Sequence, residues 1–402
     1  MRKFLYISLI ALAIFIPSNA VHCQILSSEA EMTLLSCSPG KPLYFHFGHT
    51  ALRVQDPACI LPDGTQMPID WVFNYGIFDF NTEHFYVKFT KGETDYMLGL
   101  ETTAGFLYGA ACADRHVSFQ PLRMDSAQKQ QIMDALVLNY QPENRMYRYN
   151  FVYDNCATRV WKLIRNATDI QPSEELSGMT WRKAIDYYSG RYTWGKYGIS
   201  MVFGYEADKE MTVEQSLFLP ENLMNYVSDI GITENEDIAP FTPRDGNFAT
   251  SPELAELILI LIIAIFTITD IRKKKFSWGI DVAFFTLFTI LGIVISILYF
   301  FSSHPFVGSN MNILLLNPLW ITGVILLCIK KTRRLPIRFG TWVLLYACIF
   351  LVVLRISGQA PHIILALVIA EILRLHILHR AETVESRKCR QNPKVESRKW
   401  KA

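Results

Sequence analysis

Five apolar segments crowd the C-terminal part of this chain, near 254–270, 280–301, 313–329, 339–356 and 360–378. Each is long enough, or nearly so, to cross the hydrocarbon of a bilayer as a helix. Lipid leaves backbone polar groups no partner but one another, so this half is predicted to fold as a helical bundle. Basic clusters give the direction. Arg272 to Lys275 follow the first segment, Lys330, Lys331, Arg333 and Arg334 follow the third, and a Lys/Arg-rich tail follows the fifth. The loops 302–312 and 356–360 carry almost no positive charge. The positive-inside bias therefore predicts residues 24–250 and both loops outside the cytoplasm, with the C-terminal tail inside.

The N-terminus fits that export. Arg2 and Lys3 precede an apolar run from Phe4 to Ile16, and Pro17-Ser18-Asn19-Ala20 offers small residues for cleavage after Ala20, with cleavage after Cys23 the second choice. A retained anchor is the alternative, but the run is short for a span. The expected organisation is a signal peptide over 1–23, an exported domain over 24–235, a linker over 236–252, a five-span transmembrane domain over 253–380 and a basic cytoplasmic tail over 381–402. Such a chain is expected in the bacterial inner (cytoplasmic) membrane as a multi-pass protein. Its formal net charge of +2 gives no reason to expect nucleic acid. None of the eight cysteines shows CxxC spacing, so no metal is expected. Cys37, Cys59 and Cys112 could supply one disulfide in an exported domain, without the sequence choosing the pair.

Cys156 stands out among the thiols. The aromatic run Tyr149-Asn150-Phe151-Val152-Tyr153 ends at Asp154 and Asn155, and a helix then reads Ala157 to Ala167 with Val160, Leu163 and Ile164 at helical spacing. A thiol on a first helical turn meets unpaired N–H groups and the positive end of the dipole, which predicts a lowered pKa. Upstream, Phe45-His46-Phe47-Gly48-His49-Thr50-Ala51-Leu52-Arg53-Val54 places a histidine at the head of an alternating strand. A lone cysteine behind a cap is more often structural; with an exported location and a strand-borne imidazole, the nucleophile reading gains. If His49–Val54 pairs with Asp70–Tyr75, His49 lies across from Asn74–Gly76. Asn74 is then the first choice to orient the imidazole, with Asp70 second and a backbone carbonyl the alternative. His46 reads as a packing residue or a support for the base, and Arg53 and Arg159 as ion-pair or capping residues, either of which could face a lipid phosphate. Strands followed by a helix-borne cysteine predict an α+β exported domain ahead of an all-α membrane domain.

The pair FGHTALRV and YNFVYDNCATR, ahead of five spans, resembles the Lnb family of Bacteroides-type lipoprotein N-acyltransferases. Leu34-Leu35-Ser36-Cys37-Ser38-Pro39-Gly40, Phe73 to Phe80, Phe218-Leu219-Pro220-Glu221-Asn222-Leu223, His304-Pro305, Asn310, Asn312 and Asn317-Pro318 extend the resemblance over most of the chain. The exported domain is also similar in order to circularly permuted papain-like hydrolases of the lecithin–retinol acyltransferase type. The resemblance implies that Cys156 takes a fatty acyl group from a phospholipid as a thioester, without a cofactor, and passes it to the α-amine of a diacylated lipoprotein. His49 and Asn74 would complete the catalytic set, with the Cys156 backbone N–H as one oxyanion donor.

Polar residues near the outer ends of the spans, His304, Asn312, Asn317, Arg355 and His362, are the expected substrate-binding groups, with Arg355 the phosphate contact. Interfacial hydrogen bonding is the plainer explanation for them. Glu371 is expected to pair with a polar neighbour, and Arg374 to snorkel to the inner face. A second functional reading is a membrane-anchored cell-wall peptidase or amidase on the same frame. A third is a non-enzymatic sensor or transporter.

Overall fold

This computed structural model describes residues 25–61, 63–171, 173–233 and 240–391. The expected signal peptide, the first residues of the linker and the end of the basic tail lie outside them. The chain divides into two compact units, one of residues up to Ser189 with Glu210–Arg244, the other of Gly190–Lys209 with the residues from Asp245 onward.

The first unit is α+β. Its strands and helices run β1 (Glu31–Cys37), β2 (His49–Ile60), β3 (Gln66–Ile77), α1 (Phe85–Lys91), β4 (Asp95–Thr102), α2 (Thr103–Cys112), β5 (Val117–Pro121), α3 (Ser126–Tyr140), β6 (Met146–Arg148) and α4 (Cys156–Thr168). After them come β7 (Leu176–Thr180) and α5 (Trp181–Tyr188). An antiparallel sheet is ordered β5-β1-β2-β3-β4-β6. Side chains alternate across it. Leu34, Leu52 and Phe73 share one face with Ile132, Leu136, Ala157, Val160 and Ile164 of α3 and α4. Leu35, Ala51 and Val72 share the other with Phe106 and Ala110 of α2. Both faces are thus covered, and burying each large aliphatic side chain contributes roughly 1.5–3 kcal/mol before entropy is charged against it.

The β2–β3 hairpin is longer than its sequence suggested. Instead of a long connection from Asp56 to Pro68, both strands extend to a turn at Leu61–Thr65, where Asp63 accepts from the Thr65 N–H and hydroxyl. The six described cysteines, Cys37, Cys59, Cys112, Cys156, Cys328 and Cys348, are all free thiols, so the anticipated disulfide does not form among them.

The second unit is all-α. It opens with α6 (Trp194–Val202), which the sequence had grouped with the exported domain. The first unit resumes with β8 (Glu210–Thr212), α7 (Val213–Ser216) and α8 (Pro220–Asp229), β8 pairing with β7. The second then continues through α9 (Pro252–Lys273), α10 (Trp278–Phe301), α11 (Trp320–Cys328), α12 (Leu335–Ser357) and α13 (Ile364–Gln391). Helices α9, α10 and α12 are long and apolar enough to cross a membrane. The remaining two expected spans differ. Residues from Met311 begin as 3-10 turns and only Trp320–Cys328 is α-helical, while α13 carries Glu371 and Arg374 in its interior.

Backbone pairing explains why α6 groups with these helices. The amides of Asn310 and Asn312 both donate to the Met201 carbonyl at 3.1 and 3.2 Å, the Gly204 N–H donates to Phe306 O, and the Ala360 N–H donates to Asp208. A Cβ on Gly204 would lie 2.1 Å from the Ser309 carbonyl carbon, so only glycine permits that approach. Arg374 does not snorkel. It is 1% exposed and donates to Asp281 at 2.9 and 3.1 Å and to Asp270 at 2.7 Å, tying α13 to α10 and α9. With two carboxylate partners inside the bundle, its charge needs no route to water.

Candidate active site

Helix α4 begins where its sequence said it would. Asn155 caps it, accepting from the Thr158 N–H at 2.9 Å while Thr158 Oγ1 accepts from the Asn155 N–H at 2.8 Å. The Asn155 amide also donates to the carbonyls of Phe151 and Phe218, fixing the turn that precedes Cys156. Asp154 is not the cap; it forms a two-point ion pair with Arg159 at 2.7–2.8 Å. Cys156 is half-buried at the first helical position.

His49 opens β2 opposite Cys37 of β1. The β2–β3 register, with Leu52 opposite Phe73, carries His49 to the Gly76 end of β3. Gly76 sits at an irregularity in the β3–β4 ladder with φ of +97°, a backbone state suited to glycine. A Cβ there would lie 3.8 Å from His49 Cε1 and 3.9 Å from the Cys156 Cβ. Imidazole and thiol thus flank one spot that glycine keeps open.

A relay stands behind the imidazole. His49 Nε2 meets Asn74 Oδ1 at 2.7 Å, and Asn74 Nδ2 donates to Glu101 Oε1 at 3.0 Å. An ionised carboxylate only accepts, so Glu101 turns the amide nitrogen to itself and leaves the amide oxygen for His49. Nε2 must then carry the proton, which leaves Nδ1 as the ring's acceptor. Burial raises the Glu101 pKa, with the Asn74 hydrogen bond acting the other way. Asn74 is therefore brought to His49, and Glu101 extends the chain by one residue. Asp70 is elsewhere, paired with Arg53 at 2.6 and 2.9 Å. His46 contacts the Lys41 carbonyl through Nε2.

The electrostatics depart from expectation. The Cys156 thiol is raised above the ordinary 9.0, not lowered. Burial is the largest influence and outweighs the N–H groups of Thr50, Ala157 and Cys156 and the charge of Arg115, all of which favour thiolate. Burial, then the Arg115 charge, push His49 down to about 4, against the Asn74 hydrogen bond. The helix terminus acts with the expected sign and loses to desolvation. Arg115 is the second functional candidate that the sequence did not reveal. It lies between α2 and β5, its guanidinium 4.2 Å over the Phe45 ring and its Nε donating to Ser38 O at 2.8 Å.

The remaining expected groups belong to the second unit. Asn312 is fully buried and holds Met201 O. His362, 8% exposed, meets the Tyr197 carbonyl at 3.0 Å through Nε2. Asn317 bonds locally to Leu314 O and the Leu319 N–H, His304 is half-buried, and Arg355 is exposed near the end of α12. No cluster of His, Cys, Asp or Glu among the described residues is arranged to hold a metal ion.

Comparison with known proteins fits this two-part architecture. Residues 20–187 match the Lnb N-terminal periplasmic domain, and residues 244–385 match the Lnb transmembrane domain. No curated protein and no solved structure matches the chain. With one family's two domains matched in order, on either side of the 190–240 region, the chain belongs to the Lnb family.

Proposed function

We propose that the protein is a lipoprotein N-acyltransferase with Cys156 as nucleophile. The observation that carries this reading is the convergence of the Cys156 thiol and the His49–Asn74–Glu101 relay on Gly76, in a domain continuous with membrane spans. In the first half-reaction the sulfur attacks the ester carbonyl carbon of a phospholipid while His49 Nδ1 takes the thiol proton. The backbone N–H of Cys156 serves the developing oxyanion. Collapse breaks the ester C–O bond, the imidazolium returns its proton to the departing glycerol oxygen, and lysophospholipid leaves behind a thioester. In the second, the neutral α-amine of a diacylglyceryl cysteine attacks the thioester carbonyl. The attack makes the nitrogen cationic and His49 takes its proton; collapse then breaks the C–S bond, and the imidazolium returns that proton to the departing sulfur as the amide forms. Asn74 keeps Nε2 protonated through both halves. Five membrane passes and the acceptor chemistry rest on the family relationship.

Mass spectrometry of lipoprotein N-termini tests the proposal. A strain carrying only Cys156→Ala should accumulate diacylated lipoproteins, and His49→Ala should be nearly as severe, while His46→Ala retains activity. Labelled phospholipid without acceptor should leave a hydroxylamine-sensitive acyl group on Cys156. Triacylated lipoproteins in the Cys156→Ala strain would sink the assignment.

A further inference from the structure

We propose that Arg115 is the anion anchor of this site and that it binds the phosphodiester of the acyl donor. The inference builds on the acyl-transfer reading above. The guanidinium is held from two sides, by the Phe45 ring at 4.2 Å and by the Ser38 carbonyl at 2.8 Å from Nε. Ser38 follows Cys37, the residue paired with His49, so this anchor point sits one residue from the strand pair that carries the imidazole. Only Nε has an acceptor among the described residues, and Nη2 is buried without one.

Among the described residues no carboxylate pairs with this cation. Adjacent Asp114 faces Lys41 and Arg244 at 4.0 and 3.5 Å, and Glu101 accepts from Asn74. A sequestered guanidinium with unused donors is costly unless an anion arrives. A planar, permanently charged group whose Nη2 has no protein acceptor suits a phosphate, which accepts from such a fork. In a diacylglycerophospholipid the phosphodiester is a few bonds from the scissile ester carbonyl, so a cation anchored next to the Cys37–His49 pair can hold one while sulfur attacks the other. The influence of Arg115 on both Cys156 and His49 agrees with that proximity.

Ether-linked lipids test binding without turnover. The full-length protein in detergent would be treated with iodoacetamide at pH 9, reading the Cys156 peptide by mass spectrometry, in the presence of short-chain dialkyl phosphatidylglycerol, the matching dialkylglycerol, or inorganic phosphate. The phospholipid analogue should protect Cys156 at a concentration at least about tenfold below the neutral analogue, the size of one charge-assisted contact. Arg115→Met, which keeps an unbranched side chain without the charge, should remove that preference, and Arg115→Lys should retain part of it. Equal loss of protection by both lipids in Arg115→Met, or an undiminished preference, would overturn the proposal. Protection by inorganic phosphate as strong as that by the phospholipid would overturn the lipid origin of the anion. Failure of ester lipids to acylate Cys156 would instead count against the acyl-transfer reading, because the ether analogues require no chemistry.

Discussion

The resting site should hold a neutral thiol beside a neutral imidazole, and the pH dependence of Cys156 alkylation reveals which pair is present. A thiol at the ordinary 9.0 is about one part in a hundred ionised at pH 7, and Cys156 lies above that value. An imidazole near 4 is protonated in about one molecule per thousand at pH 7. Measured from the ordinary thiol value of 9.0, moving the proton from Cys156 to His49 before substrate arrives spans about five pK units, roughly 7 kcal/mol before the attraction within the resulting ion pair is counted. A turnover near 10 per second corresponds to a barrier of roughly 16 kcal/mol, so the transfer fits beneath it but is best made together with C–S bond formation. Iodoacetamide should alkylate Cys156 at a rate rising about tenfold per pH unit from pH 5 through 9, with no intermediate plateau. His49→Gln should leave that profile almost unchanged, because a neutral ring contributes no charge to the thiolate. A plateau between pH 5 and 8 that disappears in His49→Gln would show a preformed thiolate–imidazolium pair and refute the argument from burial.

Behind the imidazole, Asn74→Ala should slow acylation of Cys156 by roughly ten- to a hundredfold by freeing the ring tautomer, and Glu101→Leu should do so by less, both read by labelled-lipid trapping. In the second unit, Gly204→Ala should destabilise the helical bundle by roughly 1–3 kcal/mol, since its Cβ would meet the Ser309 backbone at 2.1 Å; thermal unfolding in detergent checks this. Arg374→Leu should cost roughly 3–5 kcal/mol by stranding the Asp270 and Asp281 carboxylates, and adding Asp281→Asn should recover part of the loss in the same assay.

What the sequence disclosed and what it withheld divide along physical lines. The start of α4, the strand at His49 and the partnership with Asn74 were legible because caps, alternation and hairpin register are set by neighbours in the chain. Glu101 and Arg115 were not. Each reaches the site from a separate element, and nothing around either in sequence marks it. The thiol's pKa was misjudged for a related reason: the helix terminus is a local feature, whereas burial comes from everything folded over it. The apolar segments were equally visible, yet composition could not show that the third is entered through a single 3-10 turn, Met311–Leu314, capped by Asn310. Arg374 looked like an interfacial cation because its partners lie 93 and 104 residues earlier.

The docking of α6 also sets a clock on biosynthesis. Its contact between Tyr197 and His362 joins residues 165 apart. At about 5–20 residues per second, the ribosome needs roughly 8–33 s to make the second residue after the first. The strands and helices that present Cys156 and His49 are complete long before that, and β8 closes on β7 from the far side of the same segment. Through the interval, Tyr197, Met201 and Val202 wait for helices still being synthesised, in a segment flanked on both sides by strands that have already paired. A chaperone would find its target there, and a protease would find its opportunity.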